Sequence, residues 1–253
     1  MAGHSKWKNI QNRKGAQDAK RGKVFQKMSK EIFVAAKSGG PDAESNASLR
    51  LAIEKAKGVN VPNDVIKRAV DKATGAGADE NYEEVIYEGY GPGGVAVLVY
   101  CLTENRNRTA PNVRVAFSKN GGNLGESGSV GYMFDRKGRL FIERTDRTDE
   151  DAVMMAALEA GADDIESTEE GFEIVTQPSD FLMVKEALEN EGIDFISAEI
   201  EMIPSMYSAL SKEDEEQFEK MLEVLEDDED VQDIYHNAEE RDLILWNYCK
   251  GKL

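Results

Sequence analysis

From residue 21 to residue 37 the apolar side chains Phe25, Met28, Ile32, Ala35 and Ala36 recur every three or four positions, the spacing of one helical face. Lys23, Lys27, Lys30 and Lys37 fall within an arc of about 80° on the opposite side. Ser38-Gly39-Gly40-Pro41 ends this helix, because glycine supplies left-handed backbone and proline bars continuation. The same spacing predicts a second helix over 45–57, with Leu49, Ala52, Ile53 and Ala56 inward. A third, over 63–74, turns Val65, Ile66, Ala69, Val70 and Ala73 inward and Lys67, Arg68 and Lys72 outward. None of these helices is stable alone, so their apolar stripes predict a bundle. Residues 1–20 have weak periodicity and read as a basic arm that orders on binding.

After Gly75-Ala76-Gly77-Ala78 the pattern changes. Residues 83–90 and 95–103 read as strands joined by Gly91-Pro92-Gly93-Gly94. That loop does not fit a phosphate cradle: an apolar strand follows it rather than a helix, and no Gly-Lys-Ser/Thr is present. A hairpin turn fits it. A helix is predicted over 109–120, with Pro111 in its first turn, Arg106 and Arg108 just before it, and Arg114 and Lys119 along it. Beyond residue 139 the order is strand 140–144, helix 149–160, hairpin 164–167 with 171–177, helix 181–191 and strand 195–203. That β-α-β-β-α-β order is ferredoxin-like. An acidic helix over 212–226 and a strand over 231–236 have no partners nearby in sequence, and would complete the sheet begun at 83–103.

The predicted fold class is therefore α+β in three domains: an N-terminal helical bundle, a middle α+β domain, and a ferredoxin-like βαββαβ domain inserted in the middle domain. The expected bounds are 1–80, then 81–135 with 205–240, then 136–204. The tail 241–253, with Leu243, Ile244, Leu245, Trp246 and Tyr248, is apolar and suits packing on the body or self-association.

Charge sharpens this division. The whole chain carries -18, yet ten of its first 37 residues are Lys or Arg and only Asp18 and Glu31 are acidic. Residues 1–80 hold 16 basic and 9 acidic side chains; residues 81–253 hold 15 and 40. A basic head on an acidic body favours a polyanion docking at one end. The lysine face of the first helix has two readings, a phosphate-binding row and a solvated surface. The near absence of interspersed acids favours the first. Trp7 could stack on a base or anchor the arm. Arg106 and Arg108 read as a second phosphate contact or as partners of the body's carboxylates. Glu226-Asp227-Asp228-Glu229-Asp230 reads most simply as a solvated helix end, and otherwise as a docking patch for a basic partner.

No catalytic constellation is assembled. The histidines, His4 and His236, and the cysteines, Cys101 and Cys249, lie in no metal-ligand, redox or nucleophile spacing. Gly171-Phe172-Glu173-Ile174-Val175 has one aromatic among acids, which argues against an RNA-recognition sheet. The longest apolar run, 95–102, is eight residues, too short for a bilayer. The expectation is a non-enzymatic protein of a reducing cytoplasm, with no cofactor, no metal and no membrane partner.

The opening AGHSKWKNIQNRKGAQDAKRGKVFQK resembles the signature of the YebC family, which also includes mitochondrial translational activators of cytochrome oxidase. VPNDVIKRAVDKATG, YEGYGPGGVAVLV, TENRNRT and GGNLGESGSVGYMFDRKG extend the resemblance in order across most of the chain. It implies the same three domains. It also implies either a DNA-binding transcriptional regulator or a ribosome-associated factor that reads ribosomal or transfer RNA and relieves stalling on proline-rich stretches. The residues expected to meet nucleic acid are Lys6, Trp7, Lys8, Arg13, Lys14, Lys20, Arg21, Lys23, Lys27 and Lys30, with Arg106 and Arg108 in the body. A rival expectation, from fold analogy, is a protein-interaction or ligand-sensing module using the acidic body.

Overall fold

The computed structural model describes residues 21–239 except 76, 78 and 147. The described residues divide into two compact units, one containing residues 21–134 and 204–239, the other containing residues 135–203.

The first unit opens with three helices, α1 (Arg21–Gly39), α2 (Ala47–Gly58) and α3 (Asn63–Thr74). Their apolar stripes meet as the periodicity requires: Met28, Ile32, Phe33 and Ala36 of α1 pack with Leu49, Ala52 and Ala56 of α2 and Ile66, Ala69 and Ala73 of α3. Gly40, at φ +91°, ends α1. Asn46 ties the next turn together. Its side chain accepts from Leu49 N at 3.1 Å, capping α2, and its Nδ2 donates to Ala35 O and Gly40 O, both at 2.8 Å. Because of that cap, α2 starts two residues later than its apolar spacing alone suggests.

The same unit contains a four-stranded sheet. Strands β1 (Glu83–Tyr90) and β2 (Ala96–Thr103) pair antiparallel from Glu83↔Thr103 to Tyr90↔Ala96. Gly93 (φ +67°) and Gly94 (φ +77°) make the turn, and a Cβ on Gly93 would lie 2.4 Å from Leu210. Helix α4 (Arg106–Lys119) follows, then the short β3 (Asn123–Leu124) beside β1. After the second unit the chain returns through α7 (Lys212–Asp227) to β8 (Val231–His236), which pairs with β2. The sheet order is β3-β1-β2-β8. Val95, Val97, Val99 and Cys101 pack against Val113 and Phe117 of α4 and Phe218, Met221 and Leu225 of α7. Ala96, Leu98 and Leu102, of opposite parity, are buried too, which explains the unbroken apolar run.

The second unit is β4 (Phe134–Glu143), α5 (Glu150–Glu159), β5 (Asp164–Ser167), β6 (Gly171–Thr176), α6 (Phe181–Asn190) and β7 (Ser197–Pro204). Their sheet order, β5-β6-β4-β7, is the ferredoxin-like one. Strand β4 begins six residues before the expected 140. The polar stretch Asp135-Arg136-Lys137-Gly138-Arg139 hides it from an apolar pattern. The structure keeps Arg139 in the strand by setting its guanidinium between Glu173 and Glu201, at 2.5 and 3.0 Å, and 4.7 Å from the Phe141 ring centre. Phe172, the aromatic weighed for base stacking, is fully buried.

Candidate nucleic-acid interface

Lys23, Lys27 and Lys30 stand in register on the face of α1 turned away from the bundle core, along about 10.5 Å of helix axis. Neither expected reading of this row, a phosphate-binding row or a solvated surface, anticipated its partners within the chain. The row lies against the end of α7 and the turn that follows it. Lys23 Nζ donates to Asp227 Oδ1 at 3.1 Å and to Asp227 O at 3.3 Å. Lys27 Nζ donates to Glu226 O at 2.9 Å. Lys30 Nζ donates to Glu229 O at 2.8 Å and to Asp230 Oδ1 at 3.2 Å. Nearby, Lys55 bridges Glu31 at 3.0 Å and Asp233 at 2.8 Å.

The run Glu226–Asp230 is a solvated helix end only in part: Glu226, Asp227 and Glu229 are exposed, but Asp230 is not. Asp230 is 2% exposed. Arg108 Nη2 reaches its Oδ2 at 3.0 Å, and the hydroxyls of Thr109 and Thr103 lie 2.8 and 3.2 Å from the same oxygen. Burial pushes the Asp230 carboxyl up, but the bonds from Thr109, Arg108 and Lys30 outweigh it and hold the group below the usual carboxylate range. Asn112 adds a bond from α4 to Asp228 at 3.1 Å.

Lys27 differs from its neighbours. Among the described residues its ammonium makes no ion pair; its bond is to a carbonyl. Burial lowers its pKa, and the charges of Glu226, Asp233 and Asp228 only partly oppose that. A desolvated cation with distant counter-charges is a place where an added anion is stabilised.

Arg106 and Arg108 do not precede α4, as expected, but form its first turn. The Asn105 side chain accepts from Asn107 N at 3.1 Å and starts the helix there. Pro111 is tolerated two positions past the first turn. Arg106 pairs with Glu83 at 2.9 Å on the surface, and Arg108 with Asp230. Both are therefore engaged by the body's own carboxylates.

Lys6, Trp7, Lys8, Arg13, Lys14 and Lys20 lie outside the described residues, as does the tail 241–253; Arg21 begins α1, but its side chain is outside them. Among described cations without an ion pair are Lys67 on α3 and Arg114 and Lys119 on α4, all exposed.

A family model described as "TACO1/YebC second and third domain" matches residues 82–238, and one described as "TACO1/YebC protein N-terminal domain" matches residues 5–76. The chain belongs to the TACO1/YebC family. A protein of Geobacillus sp. named "Probable transcriptional regulatory protein" is 62% identical over 95% of this chain and 98% of its own. One of Listeria monocytogenes with the same description is 62% identical over 94% and 99%. The crystal structure of a conserved hypothetical protein from Aquifex aeolicus superposes with a TM-score of 0.78 at 44% identity, covering 90% of this chain and 94% of that one. The names attached to these TACO1/YebC relatives describe regulators of transcription, not enzymes.

Sequence reasoning missed Asp230 as the hub beneath the lysine row. Its partners Lys30 and Arg108 lie 200 and 122 residues away, so no local pattern announces them. The one signal was compositional: a lysine row lacking acids of its own and an acidic run lacking cations.

Proposed function

We propose that the chain is a nucleic-acid-binding transcriptional regulator whose contact surface is the basic helical head with its amino-terminal arm. The observation that carries this reading is the lysine row of α1. Lys23, Lys27 and Lys30 line up three ammonium groups along α1 at a spacing that suits a phosphate backbone, although the chain's own Glu226–Asp230 segment holds them here. Lys6, Lys8, Arg13, Lys14 and Lys20 precede the row in sequence.

A second reading, a ribosome-associated factor that grips structured RNA, is favoured by how the head's arginines are used. Arg50 donates to the carbonyls of Ala43 and Glu44, and Arg68 pairs with Asp64 on its own helix. Neither is offered to a base edge, so the head suits phosphate and shape more than duplex sequence.

The test is a salt titration of binding to duplex DNA and to a folded RNA hairpin. It uses the wild-type chain and a variant with Lys6, Lys8, Arg13 and Lys14 replaced by Gln. The slope of log affinity against log salt should flatten by about 0.7–0.9 for each cation removed. A salt-independent interaction would remove the basic head from the contact, and a variant that binds like the wild type would remove the arm from it. Tighter binding to the hairpin than to any duplex would favour the second reading.

A further inference from the structure

Between α1, α3 and the segment leading into β1 lies a cavity of about 440 Å³. That is within the range of roughly 300–1,000 Å³ typical of small-molecule pockets. Its floor is apolar and aromatic: Phe25 and Phe33 from α1, Val65 and Ala69 from α3, and Tyr82. Phe33 and Tyr82 meet edge to face, with ring centres 5.5 Å apart. The rim is cationic. Lys23, Lys27, Lys30 and Lys72 all border it, with Lys30 Nζ 5.6 Å from the Tyr82 ring centre and Lys72 Nζ 5.7 Å from that of Phe33.

A few polar groups interrupt this lining. The Gln26 amide is exposed and, among the described residues, makes no hydrogen bond. Glu229 offers its carbonyl to Lys30, while its carboxylate is exposed and makes no ion pair among the described residues. An aromatic floor with a lysine rim asks for a flat apolar ring carrying phosphate. A carboxylate acceptor at the mouth asks in addition for a hydroxyl donor, which a ribose supplies.

We propose that this cavity receives one unstacked ribonucleotide of a single-stranded RNA, with the base on Phe25 and Tyr82 above the buried Phe33 and the phosphates on Lys23 and Lys27, since Lys72 is held by Glu80 at 2.6 Å. Gln26 addresses the base edge and Glu229 the 2′-hydroxyl. The lysines that hold the acidic segment on one side thus bind phosphate on the other, and Lys27, desolvated and without an ion pair among the described residues, gains most from it. This deepens the nucleic-acid reading above and rests on it.

The experiment fills the cavity without altering charge. Fluorescence anisotropy of a labelled single-stranded RNA of about 12 nucleotides is compared for wild type and Ala69→Phe, beside a DNA strand of the same sequence and a DNA duplex. The expected result is a loss of about tenfold or more for the RNA strand, the scale of one lost base–aromatic stack, with duplex binding within about twofold of wild type. The wild type should prefer the RNA strand to the DNA strand. If Ala69→Phe binds the RNA strand as wild type does, the cavity takes no base, while the nucleic-acid reading stands. If RNA and DNA strands bind alike, the ribose contact is wrong. If the wild type binds no nucleic acid, both readings fall. Should Ala69→Phe fail to fold, the wild type is photo-crosslinked to the same RNA carrying 4-thiouridine. Adducts on Phe25, Phe33 or Tyr82 support the site, and adducts confined elsewhere overturn it.

Discussion

Asp230 keeps its charge at a nearly inaccessible position because donors from α1, α4 and β2 converge on its two oxygens. Replacing it with Ala takes the carboxylate from Arg108 and the threonine hydroxyls and leaves Lys30 only the Glu229 carbonyl. Breaking a buried pair this way costs about 3–5 kcal/mol. Urea unfolding of Asp230→Ala should show a loss of that order, with a smaller loss for Thr109→Val. The pH dependence follows from the lowered carboxyl. Its contribution to stability is complete above the ordinary carboxylate value of about 3.9 and is lost as pH falls through the lower folded value. Glu88 behaves alike: burial raises its carboxyl, but N–H groups of Gly128, Val130 and Gly131, at 2.7–2.8 Å, bring it below the usual range. Acid titration of the wild type should therefore show destabilisation below about pH 4 that Asp230→Ala reduces. At this scale the sequence was least informative, since nothing in a string of acids distinguishes the buried Asp230 from the exposed Glu229.

Elements were readable wherever burial is one-sided. The three helices of the head and strands β1 and β8 fall where apolar spacing puts them, because each must bury a single stripe or run. Boundaries set by capping or ion pairs were displaced. Helix α4 starts three residues early on Asn105, and β4 starts six residues early because Arg139 is neutralised by Glu173 and Glu201. Asn46 is the strongest such device, as it caps α2 and also closes α1. Asn46→Ala should lower the unfolding free energy by roughly 2–3 kcal/mol, the sum of a lost cap and unpaired carbonyls. Asn46→Asp, which retains the cap acceptor but not the Nδ2 donor, should recover part of that loss. Calorimetric melting of the two variants would separate the contributions.

For the whole molecule, charge is distributed by sequence and paired by the fold. The three carboxylates of Glu226, Asp227 and Asp228 lie along the lysine row that the proposed contact requires, and they repel an incoming phosphate strand. Exchanging all three for their amides should tighten nucleic-acid binding several-fold at low salt, with the gain shrinking as salt screens it. Binding unchanged by that exchange would mean that the row serves only to hold the head to the sheet. The chain by itself determined the family, the α+β class, the three helical stripes, the ferredoxin-like order and the polarity of charge. The family rests on the quoted motifs and the rest on local periodicity or composition, all of which a linear sequence carries in full. Only the tertiary structure decided that the lysine row faces Glu226–Asp230, that Arg106 and Arg108 are internally engaged, and that a cavity opens beside Phe33 and Tyr82. Those pairings join residues about 20 to 200 positions apart. Coulomb attraction has no sequence register, so packing alone selects which of 49 acidic side chains meets which of 31 basic ones.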